Sequence, residues 1–234
     1  CVNERDAEQV GAKGRATGNP LWAEYFKDAD VARSRRLLHA RSPDEFITLC
    51  PGTKDAVINI VHWHDMIVAL AEVSATELSH LRQLAVVLAP RSDDPGPYQS
   101  LVHYGNALGE RHKLRVEISD QKADDLVPGA NLVLNSTSPQ IHAIVRDIPC
   151  IDHYTRLAQQ WNVEETGQEM RPLAYTGAVL NDYGATRWGL NDHLVSIIKN
   201  PTQLLEAQRR AIVRATAEEV LSRITAALVD AVVD

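Results

Sequence analysis

A short segment that follows an apolar run could hold a phosphate group. It reads Pro-Gly-Thr-Lys at positions 51–54, directly after the run 46–50. Gly52 lets a backbone approach a ligand closely. Thr53 can cap a following helix, and Lys54 adds a full positive charge at the positive end of that helix. A plain strand-to-helix turn with an exposed lysine would carry the same residues, so this segment by itself does not fix a function.

A second segment with the same potential reads Asn-Ser-Thr-Ser-Pro-Gln at positions 135–140. Its hydroxyl groups lead into a predicted helix, and Pro139 suits the first turn of that helix. An ordinary capping motif would have the same composition, but two such loops on one sheet edge favour a ligand that carries a diphosphate. The candidate contacts here are Ser136, Thr137, Ser138 and Gln140, with His142 one turn into the helix, where it is either a cleft residue or a buried one.

The remaining histidines and the cysteines offer no catalytic or metal-binding arrangement. His62 and His64 flank Trp63 and lie about 200° apart on a helix, so they cannot share a metal ion. His64 falls on the predicted apolar stripe and is predicted to be a core histidine. We therefore expect neither a metal nor a cofactor. Cys50 and Cys150 end apolar runs and are predicted to be small core residues.

The two polar segments, 51–54 and 135–140, each follow an apolar run, and the apolar runs of this sequence alternate with helical patterns. Such runs are typical of buried parallel strands, and their alternation with helices predicts an α/β fold with a doubly wound parallel sheet. Ligands bind beyond the carboxyl ends of the strands in such a sheet, and both segments fall there. The predicted strands are 46–50, 84–89, 114–118, 131–135, 148–151 and 174–180; the predicted helices are 21–41, one with an apolar stripe from Val57 to Ala71, 98–111, 138–146 and a single long helix over 201–234.

The composition restricts the class of protein. The chain has 234 residues, with 24 Lys plus Arg against 31 Asp plus Glu, and the resulting charge of −7 argues against general nucleic-acid binding. Three scattered cysteines indicate a reducing compartment, and no run reaches the roughly 20 apolar residues of a membrane span. We therefore expect a cytoplasmic protein. Because the sequence starts at Cys1 with residues typical of the middle of a domain, we expect a fragment of a longer chain rather than a processed lipoprotein.

Three motifs, in this order and spacing, resemble the C-terminal half of GT-B-type nucleotide-sugar enzymes. They are Gly18-Asn19-Pro20, the segment 51–54, and the stretch from Asn131 to Pro149. Similar families include lipid-A-disaccharide synthase, the polyglycerolphosphate transferases and the non-hydrolysing UDP-N-acetylglucosamine 2-epimerases. The resemblance implies three parts: residues 1–19 as the remnant of an N-terminal domain, 20–200 as a Rossmann-like nucleotide-sugar-binding domain, and 201–234 as a C-terminal helix.

The resemblance further implies a donor-binding domain for a nucleotide diphosphate sugar. The phosphates would lie between Gly52, Thr53 and Lys54 on one side and Ser136, Thr137 and Ser138 on the other. Ser119 to Gln121 would lie near the base, and no metal is required. The acceptor would bind to an N-terminal domain that is missing here, so little turnover is expected from this chain alone. The resemblance is also compatible with peripheral membrane association of the whole protein.

One departure from the family pattern keeps alternatives open. Many relatives carry an acidic residue where this sequence has Ile141 and His142, which weakens the epimerase interpretation most. Three hypotheses remain: a glycosyltransferase donor domain, half of a sugar-nucleotide 2-epimerase, and a non-catalytic Rossmann-like module that binds a protein partner.

Overall fold

A computed structural model of the chain describes residues 18–19, 22, 25, 27–76, 83–91, 94–134, 138–167, 180–183, 187–212 and 215–233. Six parallel strands form one sheet in the order β3-β2-β1-β4-β5-β6. The chain order reverses between β1 and β4, as a doubly wound sheet requires, and this prediction is confirmed. The strands are β1 Phe46–Pro51, β2 Leu84–Ala89, β3 Leu114–Ile118, β4 Leu132–Leu134, β5 Cys150–Tyr154 and β6 Leu180–Tyr183.

Helices cover both faces of the sheet. They are α1 Val31–Leu37, α2 Ala56–Thr76, α3 Gln99–His112, α4 Ala123–Leu126, α5 Ser138–Val145, α6 Arg156–Thr166, α7 Arg187–Lys199, α8 Thr202–Ala211 and α9 Ala217–Val233. Apolar side chains of α2, α3 and α7 pack on one face of the sheet. Those of α4 and α5 pack on the other, together with Leu38 and Ile212. Cys50 and Cys150 are buried in these two cores, as predicted, and burial raises the pKa of both thiols.

The central strands form because their apolar runs are buried on both sides. Ile47 and Leu49 of β1 are fully buried, and every residue of β2 is at most 2% exposed. Continuous burial of this kind is typical of parallel sheets covered by helices. The predicted bounds of β2 and β3 match the structure, and β1 extends one residue further, to Pro51.

Helix α2 is the core helix of the domain. It is long and apolar enough to satisfy the length and composition of a membrane span, but 56% of that apolar window is buried inside the domain. The predicted face is partly wrong: Val57 is exposed, whereas Trp63 and Met66 are buried. His64, predicted to be in the core, is half exposed, and His62 is buried instead because it shares the face of Met66, one turn further along.

Two other helix predictions need correction. The helix predicted over 21–41 begins at Val31, where Asp30 caps it by accepting the Arg33 amide, and ends at Leu37. Positions 21, 23, 24 and 26 of the predicted range lie outside the described residues. The tail forms α8 and α9 rather than one helix. A capping box separates them: the Thr216 hydroxyl accepts the Glu219 amide, and the Glu219 carboxylate accepts the Thr216 amide. Helices α4, α6 and α7 were not predicted.

Three predicted strands have different bounds. The fourth is shorter than predicted, and the fifth begins and ends later. The sixth spans Leu180–Tyr183, and positions 174–179 of its predicted range lie outside the described residues. These shifts do not change which loops follow which strands, so the expected ligand edge of the sheet is unchanged.

Candidate functional site

A cleft of about 880 Å³ opens at the carboxyl ends of β1, β2 and β3. This is the edge of the sheet where ligands bind in doubly wound folds. The cleft adjoins the point where the strand order reverses, and α5, which follows β4, contributes Pro139 to its wall. Its lining comprises His39, Pro51, Gly52, Ala89, Pro90, Arg91, Pro95, Gln99, Ile118, Ser119, Asp120, Gln121, Lys122, Ala123, Asp124 and Pro139.

Gly52 forms part of the cleft wall, and a side chain at this position would crowd its neighbours. Its amide donates to the carbonyl of Ala89 at 2.8 Å. A Cβ at this position would lie 3.0 Å from Nδ2 of Asn59, 3.1 Å from the Trp63 ring and 3.2 Å from Cα of Pro90. The glycine therefore lets the β1 loop pack directly against the β2 loop.

Thr53 is held by the protein itself. Its amide donates to Oδ1 of Asn59 at 2.7 Å, and its hydroxyl accepts the amide of Asp55 at 3.1 Å. Asn59 returns a hydrogen bond to the Thr53 carbonyl and donates a second one to the Tyr98 hydroxyl. Asn59 is buried, so this network fixes the shape of the β1 loop. Lys54, next along the loop, is exposed and is not among the residues that line the cleft.

The first turn of α2 is capped by Asp55, not by Thr53 as predicted. Oδ1 of Asp55 accepts the amides of Val57 and Ile58, and Oδ2 accepts the indole N–H of Trp161. A carboxylate therefore already occupies the positive end of this helix. This arrangement leaves Gly52 and the Lys54 charge as the parts of the β1 loop that suit a phosphate.

The second polar segment is described only in part. Positions 135–137, which include Ser136 and Thr137, lie outside the described residues, so their phosphate contacts stay a prediction. Helix α5 begins at Ser138, and Pro139 lines the cleft. Gln140 is fully buried, and its side chain is therefore away from the cleft surface.

His142 is a buried residue at the edge of the cleft rather than a lining residue. Its ring stacks on Tyr25 with the ring centroids 4.6 Å apart. Its Nε2 accepts a hydrogen bond from Nε of Arg146 at 3.3 Å, and its Nδ1 lies 3.7 Å from Oδ1 of Asp124. Asp124 does line the cleft. Burial raises the pKa of the Tyr25 hydroxyl, and the charge of Asp124 adds to that increase.

The loop after β3 forms a further wall of the cleft. Ser119 is nearly buried; its amide donates to the carbonyl of Leu88, and its hydroxyl accepts the amide of Gln121. Asp120 accepts from the side-chain amide of Gln121 at 2.7 Å. The predicted base-binding residues therefore line the cleft, although base binding itself stays a prediction.

Sequence reasoning missed several residues that shape this site. Asn59 is a lone buried amide on a largely apolar helix, a pattern that signals an internal hydrogen-bond partner. Asp55 is an acidic residue directly before an apolar helical run, which is the signature of an N-cap. Asp124 carries no such signal, because its importance comes from its contact with α5.

A second cavity lies away from this edge, among α2, α3 and α7. It is also about 880 Å³ in volume, and most of its lining is apolar, including Val68, Ala71 and Val195. Asn191 donates to Glu72 across it at 2.8 Å. This groove contains no basic residue among those that line it, so it does not suit a diphosphate.

Three titratable side chains lie together between α2 and β5. The rings of His62 and His153 are 6.3 Å apart, and Nε2 of His153 lies 3.6 Å from Oδ2 of Asp65. Across the described ranges, no three His, Cys, Asp or Glu residues are arranged to hold a metal ion. Burial, helped by the neighbouring His153 and opposed by a smaller effect of Asp65, lowers the pKa of His62 to about 3.

This burial predicts that the protein loses stability in mild acid. The unfolded chain binds a proton at His62 near pH 6.5, whereas the folded chain does so only near pH 3. The neutral His62 therefore makes its full contribution to the unfolding free energy above pH 6.5. Between pH 6.5 and pH 3, the unfolding free energy decreases by about 1.4 kcal/mol for each unit by which the pH falls. Urea unfolding should show that the unmodified chain has a lower unfolding free energy at pH 5 than at pH 7. In His62→Gln this decrease should be about 2 kcal/mol smaller.

His103→Gln is the control for this prediction, because His103 is exposed on α3. It should leave the difference between pH 7 and pH 5 as it is in the unmodified chain. An unchanged pH dependence in His62→Gln would contradict the assignment of a neutral, buried His62.

Comparisons with known proteins identify the fold. No family model matches the sequence, and no curated protein is similar to it by sequence. Among solved structures, HepE from Anabaena in complex with UDP is 14% identical, with a TM-score of 0.56 over 98% of this chain and 63% of that chain. A candidate UDP-N-acetylglucosamine 2-epimerase from Listeria monocytogenes is 15% identical, with a TM-score of 0.57 over 97% of this chain and 57% of that chain.

A third similar structure is WaaG, a glycosyltransferase involved in lipopolysaccharide biosynthesis, which is 16% identical. The TM-score is 0.51 over 81% of this chain and 48% of that chain. This chain thus spans about half to three fifths of the length of these proteins. Together with the strand order and the cleft, these similarities show that the chain has the fold of a Rossmann-like, GT-B C-terminal domain.

Proposed function

We propose that this chain is the donor-binding domain of a glycosyltransferase and that its cleft binds a nucleotide diphosphate sugar. The observation that carries the proposal is the position of the cleft, which joins the ends of β1, β2 and β3 to the start of α5. The fold supports it, since similar structures include HepE crystallised with UDP, and with UDP-glucose.

The proposed binding mode assigns the diphosphate to the start of α5. The amides of its first turn carry a partial positive charge that attracts anions, and residues 136–138 would add hydroxyl donors. Arg91 lines the cleft, and the exposed Lys54 lies in the adjacent loop. Fixed positive charges of this kind stabilise a leaving diphosphate without a metal ion. Thr53 takes no part in this mode, because its amide and hydroxyl are already bonded within the protein.

The reaction of the whole protein would transfer the sugar from the nucleotide to an acceptor. We assign acceptor binding to a further domain of the whole protein. This chain should therefore bind a nucleotide but show little turnover alone. Cytoplasmic location and peripheral membrane association of the whole protein are part of the same proposal.

A second candidate is half of a sugar-nucleotide 2-epimerase, which the similarity to the Listeria monocytogenes protein favours. The whole protein incubated with UDP-N-acetylglucosamine and no acceptor separates the two candidates. An epimerase converts the sugar under these conditions, whereas a glycosyltransferase leaves its stereochemistry unchanged. A non-catalytic interaction module would instead form a partner complex that Lys54→Ala and Ser136→Ala do not affect.

Binding of uridine, UMP and UDP, compared by calorimetry, tests the proposed function. If the site recognises a diphosphate, UDP should bind about tenfold more tightly than UMP, the effect of roughly one additional charge-assisted hydrogen bond.

Lys54→Gln should weaken UDP binding by about threefold, a modest loss because Lys54 is exposed. The matched control is Lys113→Gln, at the amino end of β3, which should change nothing. Equal binding of uridine and UDP, or no binding of either, would contradict the proposal.

A further inference from the structure

The groove among α2, α3 and α7 combines a wide apolar surface with two carboxylates. Its walls include apolar side chains from all three helices, among them Val68 and Val195. Glu72 of α2 and Asp192 of α7 also line it, whereas no Lys, Arg or His belongs to its described lining. A molecule that entered this groove would therefore meet negative charge beside apolar surface.

The polar side chains of the groove present hydrogen-bond acceptors. Nδ2 of Asn191 donates to Oε2 of Glu72 at 2.8 Å, which joins this carboxylate to α7. Oδ1 of the same amide is buried and has no hydrogen-bond partner within the described part of the chain. The Thr76 hydroxyl already donates to the backbone carbonyl of Glu72 at 3.1 Å. Because ionised carboxylates and carbonyl oxygens only accept hydrogen bonds, a complementary ligand must supply the donors.

An aromatic ring at the groove also favours positive charge. Tyr104 of α3 lines the groove and is 41% exposed. His64 of α2 stacks on this ring with the centroids 5.3 Å apart, which supports the ring from the side of α2. The electron-rich face of an aromatic ring attracts cations. The ring and the carboxylates therefore select for the same sign of charge.

The size of the groove suits a small organic molecule. Its volume of about 880 Å³ falls within the range of roughly 300–1,000 Å³ that is usual for ligand sites. Such sites are lined mainly by apolar side chains, with a few polar groups that fix the orientation of the ligand. The ligand that fits this description has an apolar body and a positively charged group with N–H donors at one end.

Helix α9 of a second copy does not meet this description. Leu221, Leu228 and Val229 of α9 are exposed and form an apolar surface. The first turn of the same helix carries Glu218 and Glu219. Their carboxylates would approach those of the groove, and like charges repel each other. A second copy is therefore an alternative that the test must exclude, not the occupant that the charges favour.

We propose that the groove among α2, α3 and α7 binds an organic cation, namely a primary ammonium ion on an apolar body. The ammonium group donates to Glu72, Asp192 and Oδ1 of Asn191, and the body packs on the apolar walls. This site is separate from the cleft at the carboxyl ends of β1, β2 and β3, and the inference does not depend on the proposed function.

The test titrates the complete 234-residue chain with octylammonium, 1-octanol and octanoate, and follows its amide chemical shifts. The three probes have the same number of carbon atoms and differ in charge. Octylammonium should give saturable shifts at Ala75 and Val195, which line the groove, and should bind about tenfold more tightly than 1-octanol. Octanoate should bind more weakly than 1-octanol, because the carboxylates of the groove repel it.

Variants that remove charge assign this preference to particular side chains. Glu72→Gln combined with Asp192→Asn keeps the shapes of both side chains, so it should reduce the tenfold preference to about twofold or less while leaving the affinity for 1-octanol unchanged. Glu110→Gln is the matched control, because Glu110 is exposed on α3 and does not line the groove. It should keep the preference near tenfold. If the double variant does not fold, Asp192→Asn alone, at an exposed position, should reduce the preference to about threefold.

The outcomes separate this inference from its alternatives. Equal affinities for octylammonium and 1-octanol, or a preference that survives in the folded double variant, would overturn it. Shifts at Ala75 and Val195 that follow the protein concentration without any probe would overturn it too, since a second copy would then occupy the groove. Failure of the chain to bind UDP would remove the proposed function but leave the cation site intact.

Discussion

Gly109→Ala should destabilise the chain by about 3 kcal/mol, at the upper end of the usual cost of overpacking. A Cβ at Gly109 would lie 1.7 Å from the carbonyl oxygen of Leu114 and 2.8 Å from its carbonyl carbon. The obstacle is backbone, which β3 holds in register with β2, so it cannot rotate away as a side chain would. Alanine is the better helix former by about 1 kcal/mol, but that gain is smaller than the cost of moving α3 off the sheet.

The close approach at Gly109 comes from the tight connection between α3 and β3. Lys113 adopts a left-handed conformation with φ of 55° and returns the chain directly over the last turn of the helix. Thermal unfolding should show a decrease in Tm of about 10 °C for Gly109→Ala in a chain of this size. Glu110→Ala, at the next position and exposed, should change the unfolding free energy by less than about 0.5 kcal/mol. A Gly109→Ala variant as stable as the unmodified chain would contradict the observed packing of α3 on β3.

Gly52→Val should weaken UDP binding about 100-fold, equivalent to about 2.7 kcal/mol. The first added carbon already meets Asn59, Trp63 and Pro90 at 3.0 to 3.2 Å. Two further methyl groups must either project into the cleft or push the β1 and β2 loops apart. Either response removes the surface to which the nucleotide is proposed to bind, and the strain should also lower stability by about 1–3 kcal/mol.

Gly52→Ala provides a graded comparison for this prediction. Its single methyl group requires its neighbours to move by only a few tenths of an ångström, so its effect on UDP affinity should be less than about tenfold. Calorimetry on both variants, with circular dichroism to establish folding, measures the difference. If folded Gly52→Val binds UDP as tightly as the unmodified chain, the nucleotide does not occupy this cleft.

The strands of the sheet could be predicted where burial alone determines them. The runs that form β2 and β3 are apolar or alternate strictly, and their predicted bounds match the structure.

Helix α2 shows the limit of this reasoning. Its existence was predicted correctly, but it is apolar around much of its circumference, so the pattern could not decide whether His62 or His64 is buried. In the structure His62 is buried beside His153 of β5, whereas His64 stacks on Tyr104 of α3 and stays half exposed.

Other errors came from local signals that were present but not used. The capping box of Thr216 and Glu219 is visible in the sequence and divides the tail into two helices. Helix α6, by contrast, has a mostly polar sequence with few apolar residues, and it gave no periodic signal to follow.

The candidate site was predicted where it depends on strand ends and missed where it depends on contacts between elements. Gly52 and Ser119 follow β1 and β3 directly, and both line the cleft as a parallel sheet requires. The bond of Thr53 to Asn59 and the contact of Asp124 with His142 join residues that are separate in sequence. No spacing rule predicts such contacts, because they depend on how helices pack on the sheet.

The central claim is that a nucleotide diphosphate binds at the carboxyl ends of β1, β2 and β3. Mapping of the amide chemical shifts of the complete chain during a UDP titration tests it most directly. The account predicts saturable shifts at Gly52, Ser119 and Asp124, with none at Ala75 and Val195 in the apolar groove among α2, α3 and α7. Shifts confined to that groove, or none at saturating UDP, would contradict it.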